Sequence, residues 1–174
     1  DASLEEFIEA VRSTPELKET IFVLVADHSG KTPPQPLQQH LIPFAIIGPE
    51  LTAQTVDTIA SQRDVAPTLL HLLNITIPRH FTGRSLLASQ QLNSFTDYYH
   101  QGVLGWIEGN SAVEFPINNP EQIVCFNLAS KLNDEQQNHC DTEATTMQRR
   151  ALAFTHTSQS LLFAGELESF AELR

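Results

Sequence analysis

The run Ile21-Phe22-Val23-Leu24-Val25-Ala26 ends abruptly in Asp27-His28. So short an apolar stretch, rich in branched and aromatic side chains, fits a strand better than a helix. Its lack of alternation fits a strand buried on both faces, as in a parallel sheet. In open α/β sheets, ligands bind beyond the carboxyl ends of the strands, where Asp27 and His28 would stand. A carboxylate beside an imidazole can coordinate a divalent cation, or one group can orient the other for proton transfer. The same two residues can also be a turn cap followed by a solvated loop histidine.

The flanking sequence supplies elements on either side of this strand. Leu4, Phe7, Ile8 and Val11 recur at i, i+3, i+4 and i+7, which predicts an amphipathic helix closed by Pro15. Ser3 and Glu6 have the spacing of a capping box at its start. Helix followed by strand is a unit of an α/β sheet. Pro33, Pro34 and Pro36, with Gly30, predict an irregular loop over Ser29 to Gln39 that walls the end of the strand. A second buried strand is expected from Ile42 to Ile47, closed by Gly48-Pro49, with His40 just before it. Asp64 is placed to cap a helix carrying Leu69, Leu70, Leu72 and Leu73, with Pro67 in its first turn and Asn74 at its end. His71 falls on the polar side of that stripe.

Beyond about Pro78 the texture changes. Val103–Ile107, Ala112–Phe115 and Ile123–Leu128 are short apolar runs separated by Gly109-Asn110 and Asn118-Asn119-Pro120, which predicts three antiparallel strands. Met147, Ala151, Phe154 and Leu161 predict a helix within about Glu143 to Phe163. The expected division is therefore residues 1–90 as an α/β portion and 91–174 as a small antiparallel subdomain with a terminal helix.

With 174 residues the chain can bury one substantial core, and 41% hydrophobic against 18% charged residues suits a globular protein. A formal net charge of −11 without a basic cluster argues against nucleic acid as a partner. No apolar stretch approaches the roughly 18 residues that span a bilayer. Two cysteines, Cys125 and Cys140, would close a short loop if bridged, but they are too few to identify a redox compartment. The chain begins at Asp1, just ahead of a helix start, and is expected to be a piece of a longer protein.

Three segments in order carry a family resemblance: Glu19 through His28; His40-Leu41-Ile42-Pro43-Phe44-Ala45-Ile46-Ile47-Gly48-Pro49; and Ser61-Gln62-Arg63-Asp64-Val65-Ala66-Pro67-Thr68-Leu69-Leu70, followed by Gly83-Arg84-Ser85-Leu86. Together they resemble the C-terminal portion of sulfatases and lipoteichoic-acid-synthase-like proteins of the alkaline phosphatase superfamily. The resemblance covers about the first 90 residues well. The rest is looser, including Phe126-Asn127-Leu128 through Asn138-His139, which is similar to the tail segment of sulfatases. Ser29 stands between the Asp-His pair and Gly30, which is closer to the lipoteichoic-acid-synthase-like members than to typical sulfatases.

The resemblance implies the C-terminal part of an alkaline-phosphatase-like sandwich, a mostly parallel β-sheet with flanking helices, plus a small antiparallel sheet and terminal helix. It implies a two-step transfer at phosphorus or sulfur, with Asp27 and His28 as metal ligands and His40 in contact with the transferred group or leaving oxygen. An imidazole in the ligand set favours Mn²⁺ or Zn²⁺ over Ca²⁺ or Mg²⁺. The family's nucleophile and its other acidic ligands lie N-terminal to anything in this chain, so the expected partner is the rest of a parent chain. The substrate is an anionic phosphate or sulfate ester, as in phosphoglycerol or phosphoethanolamine transferases or sulfatases, and the isolated chain is expected to be inactive. The expected location is extracytoplasmic, on the periplasmic face of a bacterial inner membrane that anchors the parent. Self-association through an exposed sheet edge is also expected. A competing expectation is a non-catalytic interaction domain on the same scaffold, and a further one is a self-contained site with His40 as third ligand.

Overall fold

Helix α1, Ala2–Ser13, forms where the apolar stripe predicted it, and the first half-buried strand, β1, Phe22–Val25, follows it. The computed structural model describes residues 2–30, 36–77, 81–88, 94–128 and 143–164. By its internal contacts the chain divides into two compact units, Asp1–Thr55 and Val56–Arg174. This division of contacts lies ahead of the expected boundary at residue 90.

In the first unit, α1 already includes Ser3, so the expected capping box is not its start. Its far end is closed by Ser13 and Thr14, whose hydroxyls donate to the carbonyls of Glu9 and Ala10 at 2.8 Å. A 3₁₀ turn, Pro15–Leu17, then redirects the chain into β1. Val11 is buried, and Phe7 meets Phe22 edge-to-face with ring centroids 5.6 Å apart, so the helix stripe does pack toward the strand. Strand β2, Phe44–Ile47, pairs with β1 in the register Phe22↔Ile47 to Val25↔Phe44.

That pairing is antiparallel, and it corrects the expectation of parallel neighbours. Parallel strands need a crossover that carries the chain back to the starting end, usually a helix. Among the described residues between β1 and β2 the regular structure is a single 3₁₀ turn, Pro36–His40, and the chain doubles back instead. The same turn overrides the expected irregularity through Gln39. Nor is β1 buried on both faces, since Val25 is 44% exposed. Pro33 and Pro34 lie outside the described residues.

The second unit opens with a 3₁₀ turn, Gln62–Asp64, leading into α2, Val65–Leu72. The expected helix is there, but its cap is different. Ser61 is the capping residue, with its hydroxyl accepting from the Arg63 N–H, while Asp64 Oδ2 accepts from the Ser61 N–H at 2.8 Å. Asp64 itself has helical dihedrals and makes no side-chain cap to α2. Asn74, at φ 53°, ends the helix in the left-handed conformation that asparagine tolerates.

Four antiparallel strands follow in the order β3-β4-β5-β6: Phe95–His100, Val103–Glu108, Ser111–Pro116 and Val124–Asn127. The sheet thus has one strand more than expected, β3. Two-residue hairpins set the registers of β3 with β4 and of β4 with β5. Gln101 and Gly102 both take positive φ between β3 and β4, and Gly109 does so at the first position of the Gly109-Asn110 turn. These are the turns whose twist matches the flanking strands.

Helix α3, Ala144–Phe163, lies on this sheet. Ala144, Met147 and Ala151 are buried against Leu104, Trp106, Val113, Phe115 and Cys125, with Phe95, Ile123 and Phe154 packed around them. The i, i+3, i+7, i+10 spacing of Ala144, Met147, Ala151 and Phe154 makes that contact a single helical stripe, and its two alanines let the helix approach closely. Phe95 stacks on Trp106 with centroids 4.5 Å apart, and Phe154 closes the cluster edge-on. Cys125 is disulfide-bonded. Cys140, the sequence's other cysteine, and the Asn138-His139 segment lie outside the described residues.

A candidate metal centre at the end of the first strand

The β1–β2 ladder is extended by one bond, from the Ala26 N–H to the Pro43 carbonyl at 3.3 Å. The chain then bends at Asp27 and His28, so both side chains leave from the carboxyl end of a strand as the sequence predicts. Asp27 Oδ1 accepts the His28 main-chain N–H at 2.9 Å, which orients the carboxylate. His28 Nδ1 lies 2.9 Å from the Ser29 carbonyl oxygen. A carbonyl can only accept, so Nδ1 carries the proton and the neutral ring keeps its lone pair on Nε2. Nε2 stands 3.5 Å from Asp27 Oδ2.

This geometry is compatible with a pair of metal ligands. Metal-bound histidines almost always donate their other ring N–H to a carboxylate, carbonyl or water, and the Ser29 carbonyl takes that place here. With metal–ligand bonds of about 2.1 Å, two cis ligands of a tetrahedral ion stand roughly 3.4 Å apart. The observed 3.5 Å between Nε2 and Oδ2 fits that bite without rearrangement. The Ser29 carbonyl first, and the Asp27 charge second, raise the His28 pKa above its ordinary value. Protons would therefore compete with any cation offered to Nε2. Both side chains are exposed, 76% for His28 and 87% for Asp27.

His40 ends the 3₁₀ turn beside β2 and is half-buried. That turn is fastened to the bend after β1 by Ser29 Oγ, which donates to the Gln39 carbonyl at 2.9 Å. Among the described residues, however, no three His, Cys, Asp or Glu side chains gather to hold an ion. His40 is therefore not a third ligand to Asp27 and His28, and the self-contained three-ligand site is not formed. The group that sequence reasoning missed is the Ser29 carbonyl. No residue type signals it, because every position carries one.

A family model described as sulfatase matches residues 1–75. Bovine (Bos taurus) arylsulfatase K is 32% identical over 99 residues, covering 51% of this chain and 18% of the relative. A crystal structure of an alkaline phosphatase superfamily protein from Vibrio parahaemolyticus superposes with a TM-score of 0.74 at 20% identity, over 90% of this chain and 39% of the other. The chain thus spans well under half the length of either protein.

Proposed function

We propose that this chain, whose residues 1–75 match a sulfatase family model and whose fold is shared with an alkaline phosphatase superfamily protein, is the carboxyl-side part of a metal-dependent enzyme acting on phosphate or sulfate esters, with Asp27 and His28 as two metal ligands. The observation that carries this reading is the pairing of Asp27 Oδ2 with His28 Nε2 at 3.5 Å, on a ring whose tautomer the Ser29 carbonyl holds. A divalent ion, Mn²⁺ or Zn²⁺ by the donor set, supplies Lewis acidity toward the transferring group and lowers the pKa of the attacking nucleophile.

The chain's own residues hold that arrangement ready. Ser29 keeps the proton on Nδ1, and the His28 main chain fixes the rotamer of Asp27. His40, on the turn tied to Ser29, is assigned to the ester's transferred group or leaving oxygen. The exposure of both ligands supports a site completed by a partner surface, the remainder of a parent chain that brings the nucleophile and further acidic ligands. The disulfide at Cys125 supports an extracytoplasmic location for that parent, because such bonds persist in oxidising compartments. No described helix is long and apolar enough to cross a membrane. The β1–β2 sheet, which gains no third strand among the described residues, supports self-association of the isolated chain.

The test is hydrolysis of an aryl phosphodiester and an aryl sulfate by the complete parent enzyme, with and without His28→Ala. A loss of roughly 100-fold on one of the two esters is expected, and that ester names the branch. Unchanged turnover in His28→Ala would instead favour a non-catalytic interaction domain.

A further inference from the structure

The buried polar side chains of the described residues are Asp64, Thr68 and Ser85, and all three meet at one place in the second unit. Asp64, Thr68 and His71 stand at i, i+4 and i+7 and share one face of the 3₁₀ turn and α2. Residues Gly83 to Ala88 lie along that face. Asp64 Oδ1 accepts the Arg84 N–H at 2.8 Å. Thr68 Oγ1 accepts the Leu86 N–H at 3.0 Å while donating to the Asp64 carbonyl at 2.5 Å. Ser85 Oγ lies 2.7 Å from His71 Nδ1 and accepts the Leu87 N–H at 3.2 Å. Gly83 sits so close beneath the Arg63 carbonyl that a Cβ there would overlap backbone.

We propose that residues 83–88 form a strap that docks on α2 and releases from it as one unit, with the Asp64-Thr68-His71 stripe as its latch. The middle rung, Thr68 with the Leu86 N–H, is buried, and the rungs on either side each set one buried side chain, Asp64 or Ser85, against a part-buried or exposed partner, so losing one rung leaves a buried polar group short of its bond. The rungs therefore hold or fail together. A polar latch also differs from an apolar one in its open state, where every group on both sides regains water, and Leu86 is the strap's one buried apolar side chain. The solvent-facing rung is His71, where opening begins.

The strap's position is read by the core. Arg84 places its guanidinium over the Phe95 ring, 5.6 Å from the centroid, and donates to the Ile59 carbonyl at 3.1 Å. Phe95 stacks on Trp106, the sequence's single tryptophan. Release therefore uncovers one face of that aromatic stack.

Amide hydrogen exchange of Arg84 and Leu86, whose acceptors lie on Asp64 and Thr68, tests this in the intact chain. The two amides should share one opening constant, with less protection than the β4 amides. Ser85→Ala, which removes the rung to His71, should speed both by about tenfold together and leave β4 unchanged, while Thr68→Ser, which keeps its hydroxyl, should leave both at the original rate. Gly83→Ala should release the strap and change Trp106 emission in a unit that stays folded. Two unrelated rates, or rates that match β4 in every variant, would overturn the proposal.

Discussion

Replacing Asp64 with asparagine changes one atom, and the structure sets what that atom is worth. The carboxylate is buried, and each oxygen accepts one main-chain N–H at 2.8 Å, Oδ2 from Ser61 and Oδ1 from Arg84. Asparagine keeps one acceptor oxygen and turns an NH₂ toward the other donor. One hydrogen bond is lost to donor–donor opposition, and the one that remains loses its charge assistance. Bonds to a charged group are worth about 1.5–3 kcal/mol each, so Asp64→Asn should destabilise the second unit by roughly 2–4 kcal/mol. With a urea slope of about 2 kcal/mol/M, the unfolding midpoint should fall by roughly 1–2 M. Trp106 lies in that unit's core and reports the transition by fluorescence. A midpoint lowered by less than about 0.3 M would refute the reasoning, because those amides would then have found other acceptors at no cost.

Three further outcomes follow from other parts of the molecule. Tyr98 lies over Gly105 on the neighbouring strand and donates to Glu114 at 2.5 Å, and a Cβ at residue 105 would enter the ring. Gly105→Ala should therefore cost about 1–3 kcal/mol in urea unfolding, and a loss no larger than a surface substitution's would contradict the packing. Burial, and then the Glu114 charge, push the Tyr98 pKa far above the ordinary tyrosine range. The folded state thus keeps a proton that the unfolded chain releases near pH 10, so stability should fall as pH rises beyond that point. Tyr98→Phe should flatten the fall between pH 9 and 11, and an equally steep fall in the variant would count against the assignment. In NMR titrations, Asp27→Asn should lower the His28 midpoint yet leave it raised, because the larger cause is the Ser29 carbonyl. Stability should not change, since the ring is exposed. A midpoint unmoved by Asp27→Asn would refute the charge contribution.

What could be read from the amino-acid order was the local part. The stripes of α1 and α3 and the Gly109-Asn110 turn are short-range patterns, and each element forms where its period or turn chemistry places it. The strands of the first unit were legible as strands but not in their direction. An apolar run looks the same whether its neighbour runs with it or against it, and the connection decides. Strand β3 escaped because Phe-Thr-Asp-Tyr-Tyr-His carries an acid in mid-run. That acid, Asp97, is tolerated because Arg63, from a distant turn, pairs with it while stacking on Phe154. Asp64 misled for a related reason. Its position suits a helix cap, but its carboxylate is committed to Arg84, a partner no local pattern indicates. At the candidate site, Asp27 and His28 were visible as residue types at a strand end, whereas their alignment depends on a carbonyl that sequence does not distinguish.

The proposed metal site depends on Asp27 and His28 presenting two ligands to one cation. The most direct measurement is paramagnetic broadening of the histidine ring signals by Mn²⁺ titrated into this chain near neutral pH. Among the seven histidines, His28 should broaden first, and Asp27→Ala should abolish that preference. Broadening spread evenly over the acidic surface, or unchanged at His28 in Asp27→Ala, would contradict the claim that the pair is a metal site.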